Sequence, residues 1–154
     1  FLLNPQAVNR NPSEYFVSVD HGVSLEEMIE VGRYDWKNPD ISSKNFSVKG
    51  NGVVQTNLEL VRLNKAVSTL EAEAHLVAKG LRAATLEELL AFGAEYPEIQ
   101  RHFTVVAIGS SLVYHDGRRR MPYLGWSNSS GRGLDLDWSS LGWPESYVFL
   151  AVRK

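Results

Sequence analysis

The sequence predicts an α+β domain, with helices packed on a small, curled antiparallel sheet. Three observations lead there. Runs of alternating apolar residues mark strands before and after the middle of the chain. Ser/Thr-x-x-Glu sequences announce helices between them. The C-terminal third is a succession of strand-like runs joined by turns, so strands and helices are segregated rather than alternating as in a parallel fold. At 154 residues, with 44% hydrophobic and 22% charged residues, the chain reads as one domain, 1–154, with a core of ordinary size.

Residues 1–12 hold two Pro and three Asn without a period and read as an irregular lead-in. Tyr15–Val19 is a short strand closed by Asp20-His21-Gly22. Ser24 and Glu27 then have the spacing in which each side chain satisfies a free backbone N–H at a helix start. Leu25, Met28 and Ile29 share a face of that helix, and Gly32 is placed to stop it. Asp35 to Gly52 is polar and turn-rich and reads as surface loop. Val53–Leu63 follows as a strand, with Val54, Thr56, Leu58 and Leu60 on one side.

Two central helices come next, each announced by a capping box. Ser68 and Glu71 open the first, which turns Leu70, Ala74 and Val77 inward and ends at Gly80. Thr85 and Glu88 open the second, with Leu86, Leu89, Leu90 and Phe92 apolar and Pro97 soon after its end. Thr104–Tyr114 is a further strand, Asp116-Gly117 a hairpin turn, and Arg120–Leu124 the return.

The tail, Met121 to Lys154, carries three of the four Trp. Leu134, Leu136 and Trp138 recur at strand spacing, while Asp135 and Asp137 face the other way. Tyr147–Val152 is a continuous apolar run, as in a buried strand. The expected core is Leu58, Leu60, Leu70, Val77, Leu89, Phe92, Val106, Ile108, Leu136, Trp138, Phe149 and Leu150. Trp126 and Trp143 bracket a polar surface rich in Ser, Asn, Asp, Gly and Tyr, the composition of adaptable binding surfaces.

Charge and motifs narrow the function. A net charge of −2 gives no bulk attraction to nucleic acid, so none is expected as a partner. No apolar run approaches the length of a membrane span. The chain has no Cys, which removes disulfides, Cys-zinc sites and a Cys nucleophile. The first residue is Phe1 rather than Met, implying a preceding segment in which any targeting signal would lie. His21, His75, His102 and His115 lack metal-ligand spacing, and Glu71 and Glu88 are accounted for as caps. Asp135, Asp137 and Asn128 offer fewer oxygens than calcium needs. Arg118-Arg119-Arg120 reads as a solvated hairpin tip. No catalytic signature emerges, and no cofactor is expected.

One phrase is recognisable. Gly80-Leu81-Arg82-Ala83-Ala84-Thr85-Leu86-Glu87-Glu88-Leu89 resembles the Gly-x-Arg-Leu-Pro-Thr-x-x-Glu-Trp segment of the formylglycine-generating-enzyme branch of the C-type lectin fold. Ala84 stands for the family's Pro and Leu89 for its Trp. The closing Phe149–Arg153 is similar in type to that branch's final strand. The resemblance covers residues 65–154 and leaves 1–64 unmatched; it implies a C-type-lectin-like fold.

Within that branch the tail looks like the hypervariable region of variable proteins from diversity-generating retroelements. Their template adenines in Asn codons are randomised, which permits Asn, Ser, Asp, Gly and Tyr but not Trp, Glu, Lys, Met or Gln. Ser127, Asn128, Ser129, Ser130, Gly131, Gly133, Asp135, Asp137, Ser139, Ser140, Gly142, Ser146 and Tyr147 belong to the permitted set; Trp126, Trp138, Trp143 and Glu145 would be fixed framework. The resemblance thus implies a non-enzymatic receptor for a protein or cell-surface ligand, with residues 121–147 as its surface. Tyr123, Ser127, Asn128, Ser129, Ser130, Arg132, Asp135, Asp137, Ser139, Ser140, Ser146 and Tyr147 would make the contacts. Two alternatives stay open: an enzyme on the formylglycine-generating scaffold, whose known activity uses a Cys pair that this chain lacks, and a structural module of a surface or phage assembly.

Overall fold

The computed structural model describes residues 14–48 and 50–154, so the lead-in expected for 1–12 lies outside them. The chain is mixed α and β. Its described strands are β1 (Glu14–Asp20), β2 (Trp36–Lys37), β3 (Val53–Arg62), β4 (Leu81–Ala83), β5 (Thr104–Val106), β6 (Leu112–Val113), β7 (Arg119–Ser127), β8 (Gly131–Trp138) and β9 (Tyr147–Arg153). The helices are α1 (Leu25–Gly32), α2 (Thr69–Ala78) and α3 (Leu86–Glu95), with single 3-10 turns at Ile99–Arg101 and Ser139–Leu141.

The helix starts follow their sequence signals. Ser68 and Glu71, and Thr85 and Glu88, form complete reciprocal capping boxes. At α1 only half of the box forms: Ser24 Oγ accepts from the Glu27 N–H at 3.1 Å. Glu88 is buried and carries a second load, a paired hydrogen bond from Arg82 at 2.7 and 3.0 Å. Gly80, at φ +76°, ends the turn after α2. The α1 helix includes Gly32 and stops on Arg33 in the left-handed region. Gly32 is needed for another reason: a Cβ there would overlap the ring of Tyr34.

The expected small antiparallel sheet is instead a nine-stranded mixed sheet with the path β1-β3-β9-β5-β7-β8-β2, β4 added beside β9 and β6 beside β7. Two pairs are parallel, β5 with β9 and β2 with β8. The last strand returns to the middle of the sheet, between β3 and β5, which local periodicity does not encode. The expected strand Thr104–Tyr114 is broken into β5 and β6. Its middle leaves the ladder to reach α3: the Gly109 N–H donates to Ala84 O, and Ser110 Oγ accepts from the Leu86 N–H at 2.8 Å. The loop expected over 35–52 contains the two-residue β2.

Alternation along the central strands divides the core between the two faces. Val105, Leu124, Leu134, Leu136, Val148 and Leu150 lie against α1 and α3; Val106, Met121, Phe149 and Ala151 lie against α2 and Trp143. Several side-chain expectations are corrected here. Leu70 is 80% and Val77 64% exposed, and Ala74 is exposed; α2 turns Thr69, Ala72 and Leu76 inward. The apolar choices one position away satisfied the same period, so spacing alone misplaced the face. Val54 is exposed and Leu60 half-buried. Trp143, expected at a rim, is 1% exposed, and its indole N–H donates to Thr69 Oγ1 at 2.9 Å. Trp138, expected in the core, is half-buried at the hairpin base. Its ring meets Tyr114 at 5.0 Å and lies under the guanidinium groups of Arg118 and Arg120 at 4.5 and 5.3 Å.

Candidate functional site

Helix α2 and Trp143 cover only part of their side of the sheet. Beyond them the same face continues along β7 and β8 without a helix over it. Here the hairpin register sets Tyr123 opposite Asp135, Gly125 opposite Gly133 and Ser127 opposite Gly131. The two opposed glycines make a floor without side chains. The Tyr123 ring leans over Gly125, 3.2 Å from where a Cβ would stand, and Trp36 of β2 lies over Gly133 at 3.6 Å. The result is a cleft of about 450 Å³, walled by Trp36, Tyr123 and Tyr147 and edged by Trp126, Ser127, Ser130 and Asp135.

Two aspartates hold the wall in the same way. Asp135 Oδ1 accepts from the next residue's backbone, Leu136 N–H, at 2.7 Å, while Oδ2 accepts from the Tyr123 hydroxyl at 3.2 Å. Asp137 Oδ1 accepts from Trp138 N–H at 2.8 Å, and Oδ2 from the Tyr147 hydroxyl at 2.9 Å. Each carboxylate thus joins a strand N–H to a phenol. Leu134 O accepts from Asn38 N–H, so that side of β8 faces β2. Leu136 and Trp138, displaced by two and four residues, present their N–H groups along the same edge past the end of β2. The aspartates close an edge that would otherwise be open to pairing. Both were expected to be free, outward-facing contacts; both are half-buried, Asp137 accepting two hydrogen bonds and Asp135 three, the third from Asn38 Nδ2.

The phenols respond to this setting. Burial pushes the Tyr123 pKa up to about 12, and the negative charge of Asp135 adds to the rise. Burial also raises Tyr147, reinforced by its bond to Asp137.

The predicted contact residues therefore separate. Tyr123, Ser127, Ser130, Asp135 and Tyr147 meet in the cleft. Asp137, Ser139 and Ser140 line a neighbouring groove above Trp143, across the Tyr147–Asp137 pair. Asn128, Ser129 and Ser146 are exposed and border neither. Arg132 is not a surface contact. Its guanidinium donates to the carbonyl oxygens of Gly32 and Gly93 and to Gln100 Oε1, and lies 4.7 Å from the centre of the Tyr34 ring. Trp36 and Thr104 were missed, because each reaches the cleft from a strand remote in sequence. The Arg118–Arg120 tip is only partly solvated: Arg118 pairs with Asp116 at 2.7 Å, and Arg120 donates to Leu136 O at 2.8 Å.

Among the described residues, no group of three or more His, Asp or Glu is placed to hold a metal ion. No described helix is long and apolar enough to cross a membrane. No family model matches the chain, and neither a curated protein nor a solved structure matches it.

Proposed function

We propose that this chain is a ligand-binding protein on a C-type-lectin-like scaffold, presenting the β7–β8 face as its contact surface, and that it is the variable protein of a diversity-generating retroelement. One observation carries the reading. Of the tail positions that adenine-directed change permits, Ser127, Ser130, Gly131, Gly133, Asp135 and Tyr147 line the aromatic cleft. Asp137, Ser139, Ser140 and Gly142 line the neighbouring groove, and the remaining three, Asn128, Ser129 and Ser146, are exposed. None of the thirteen is a core side chain. The framework beneath them includes Trp143 and Met121, types that such change does not produce. Exposed ones among them, Ser127–Ser130 and Ser146 included, tolerate replacement at small cost. Tyr supplies wide contact area with few rotatable bonds, and Ser, Asn and Gly adapt their hydrogen bonding.

The test is the surrounding DNA. A near-copy of the segment encoding residues 123–147, differing mainly at adenines and lying beside a reverse transcriptase gene, is the expected finding. Related copies that differ evenly at all four nucleotides would overturn the diversification reading.

A further inference from the structure

The chemistry of the cleft goes further than its openness and, resting on the reading that this face binds a ligand, names a ligand class. We infer that the cleft takes a primary ammonium group, the end of a lysine side chain on a partner protein, seated among Trp36, Tyr123 and Tyr147 against the Asp135 carboxylate. Trp36, Tyr123 and Tyr147 are the aromatic lining residues on the cleft face, and Asp135 is the charged one. Aromatic faces attract cations through their quadrupole, and a carboxylate beside them adds direct charge.

The basic side chains nearby do not cancel this field. Arg132 is turned to the carbonyl oxygens of Gly32 and Gly93, and Arg120 is bonded to Leu136 O. Lys37 lies 3.8 Å from Glu30. Arg101 is held 4.8 Å from the Trp126 ring centre and is not among the residues that line the cleft.

Hydrogen-bonding capacity selects the kind of cation. Asp135 Oδ1 already accepts twice, from Asn38 Nδ2 at 3.0 Å and from Leu136 N–H. Oδ2 accepts only from Tyr123 and retains a lone pair. The Thr104 hydroxyl also lines the cleft and can accept. A guanidinium fork would call on both oxygens of one carboxylate, and a quaternary ammonium has no N–H for either acceptor. An –NH3+ group, a compact charge with three donors, suits one free carboxylate site and one hydroxyl.

The experiment follows the Trp36 indole N–H and the Gly125 and Gly133 amide N–H signals by NMR while Nα-acetyl-lysine methylamide, choline or the uncharged Nα-acetyl-norleucine methylamide is added. The lysine derivative should shift these signals saturably, at least about tenfold more tightly than norleucine, with choline between them. Asp135→Asn, whose oxygen can stay on the Leu136 N–H while its amide donates to the Tyr123 hydroxyl, should weaken lysine binding about tenfold; Trp36→Ala, on a half-exposed edge strand, should weaken it about threefold or more. Should the Asn variant fail to fold, Trp36→Ala still decides. Equal binding of norleucine, tighter binding of choline, unchanged binding by a folded variant, or no shift with lysine would each overturn the inference. The ligand-surface reading stands or falls separately, on the DNA copies.

Discussion

The Arg132 guanidinium donates to Gly93 O at 2.9 Å, tying β8 to the C-terminal part of α3. A second arm reaches Gly32 O at the end of α1, where a cationic group favours the exposed carbonyls and the helix dipole. Tyr34 fits below only because Gly32 and Gly93 leave its ring room. Arg132→Ala should therefore cost about 2–4 kcal/mol, since it strands several carbonyls at once. Ser129→Ala, at the exposed hairpin tip, should change stability by about 0.5 kcal/mol or less. Urea denaturation of both checks this; equal midpoints would refute the clamp.

The two tail tryptophans should behave differently. Trp143 is fully enclosed and bonded to Thr69, so Trp143→Ala should cost about 3–5 kcal/mol. Trp138 is half-buried under two arginines and a tyrosine, and its removal should cost about 1–2 kcal/mol. Thermal unfolding that ranked them the other way would contradict the burial seen here.

Alkaline pH should loosen the site. Burial pushes the Tyr34 and Tyr123 phenols up to about 12 and raises Tyr147 as well. A phenol whose folded pKa exceeds its unfolded value of about 10 favours the folded state below pH 10. That contribution is lost as the pH climbs through the folded pKa. Stability should accordingly fall between about pH 10 and 12, with phenolate absorbance appearing late. In Asp135→Asn, Tyr123 should ionise earlier, though not at its free value, because burial is the larger cause of its shift. An absorbance titration that is unchanged in this variant would show that Asp135 does not act on Tyr123.

The sequence revealed the elements whose signals are local. Ser68 with Glu71, and Thr85 with Glu88, located helix starts because a cap is chemistry over four residues. The alternation of Leu134 and Leu136 located β8 and its buried face. What stayed hidden was set by partners far along the chain. Leu70 and Val77 carry the same helical period as Ala72 and Leu76, and only the packing against Trp143 chooses between them. Arg132 resembles any polar loop residue until the ends of α1 and α3 arrive beneath it. Five of the cleft residues were legible as a polar tail; Trp36 was not, because β2 pairs with β8 across nearly a hundred residues of chain.

Not every permitted position can vary freely. Gly142 has φ +73°, and a Cβ there would stand 3.1 Å from Val67 O, beside the bridge that fixes Trp143. Side chains rarely adopt that conformation, so Gly142→Ser should cost about 1–3 kcal/mol. Natural copies of the tail should keep this glycine while Ser127–Ser130 change. Diversified copies carrying Ser or Asn at 142 with undiminished melting temperature would show the strain to be absent.

Asp137 gives the sharpest test of how far the surface is free to change. The sequence alone expects its replacement to cost almost nothing, as for an outward strand residue. Its carboxylate instead accepts from the Trp138 N–H on the open edge of β8 and from the Tyr147 hydroxyl on β9. Asparagine can keep both links: its carbonyl oxygen accepts from Trp138, and its amide can donate to a hydroxyl that accepts as readily as it donates. Serine is too short to span the two. Asp137→Asn should therefore lie within about 1 kcal/mol of the parent, whereas Asp137→Ser should lose about 1–2 kcal/mol and leave a half-buried phenol without its acceptor. Amide exchange at Trp138 should quicken in the Ser variant alone, because its N–H then faces solvent at the sheet edge. Equal stability and equal exchange in the two variants would mean that the Asp137 bonds hold nothing, and that this position is as free as the sequence made it look.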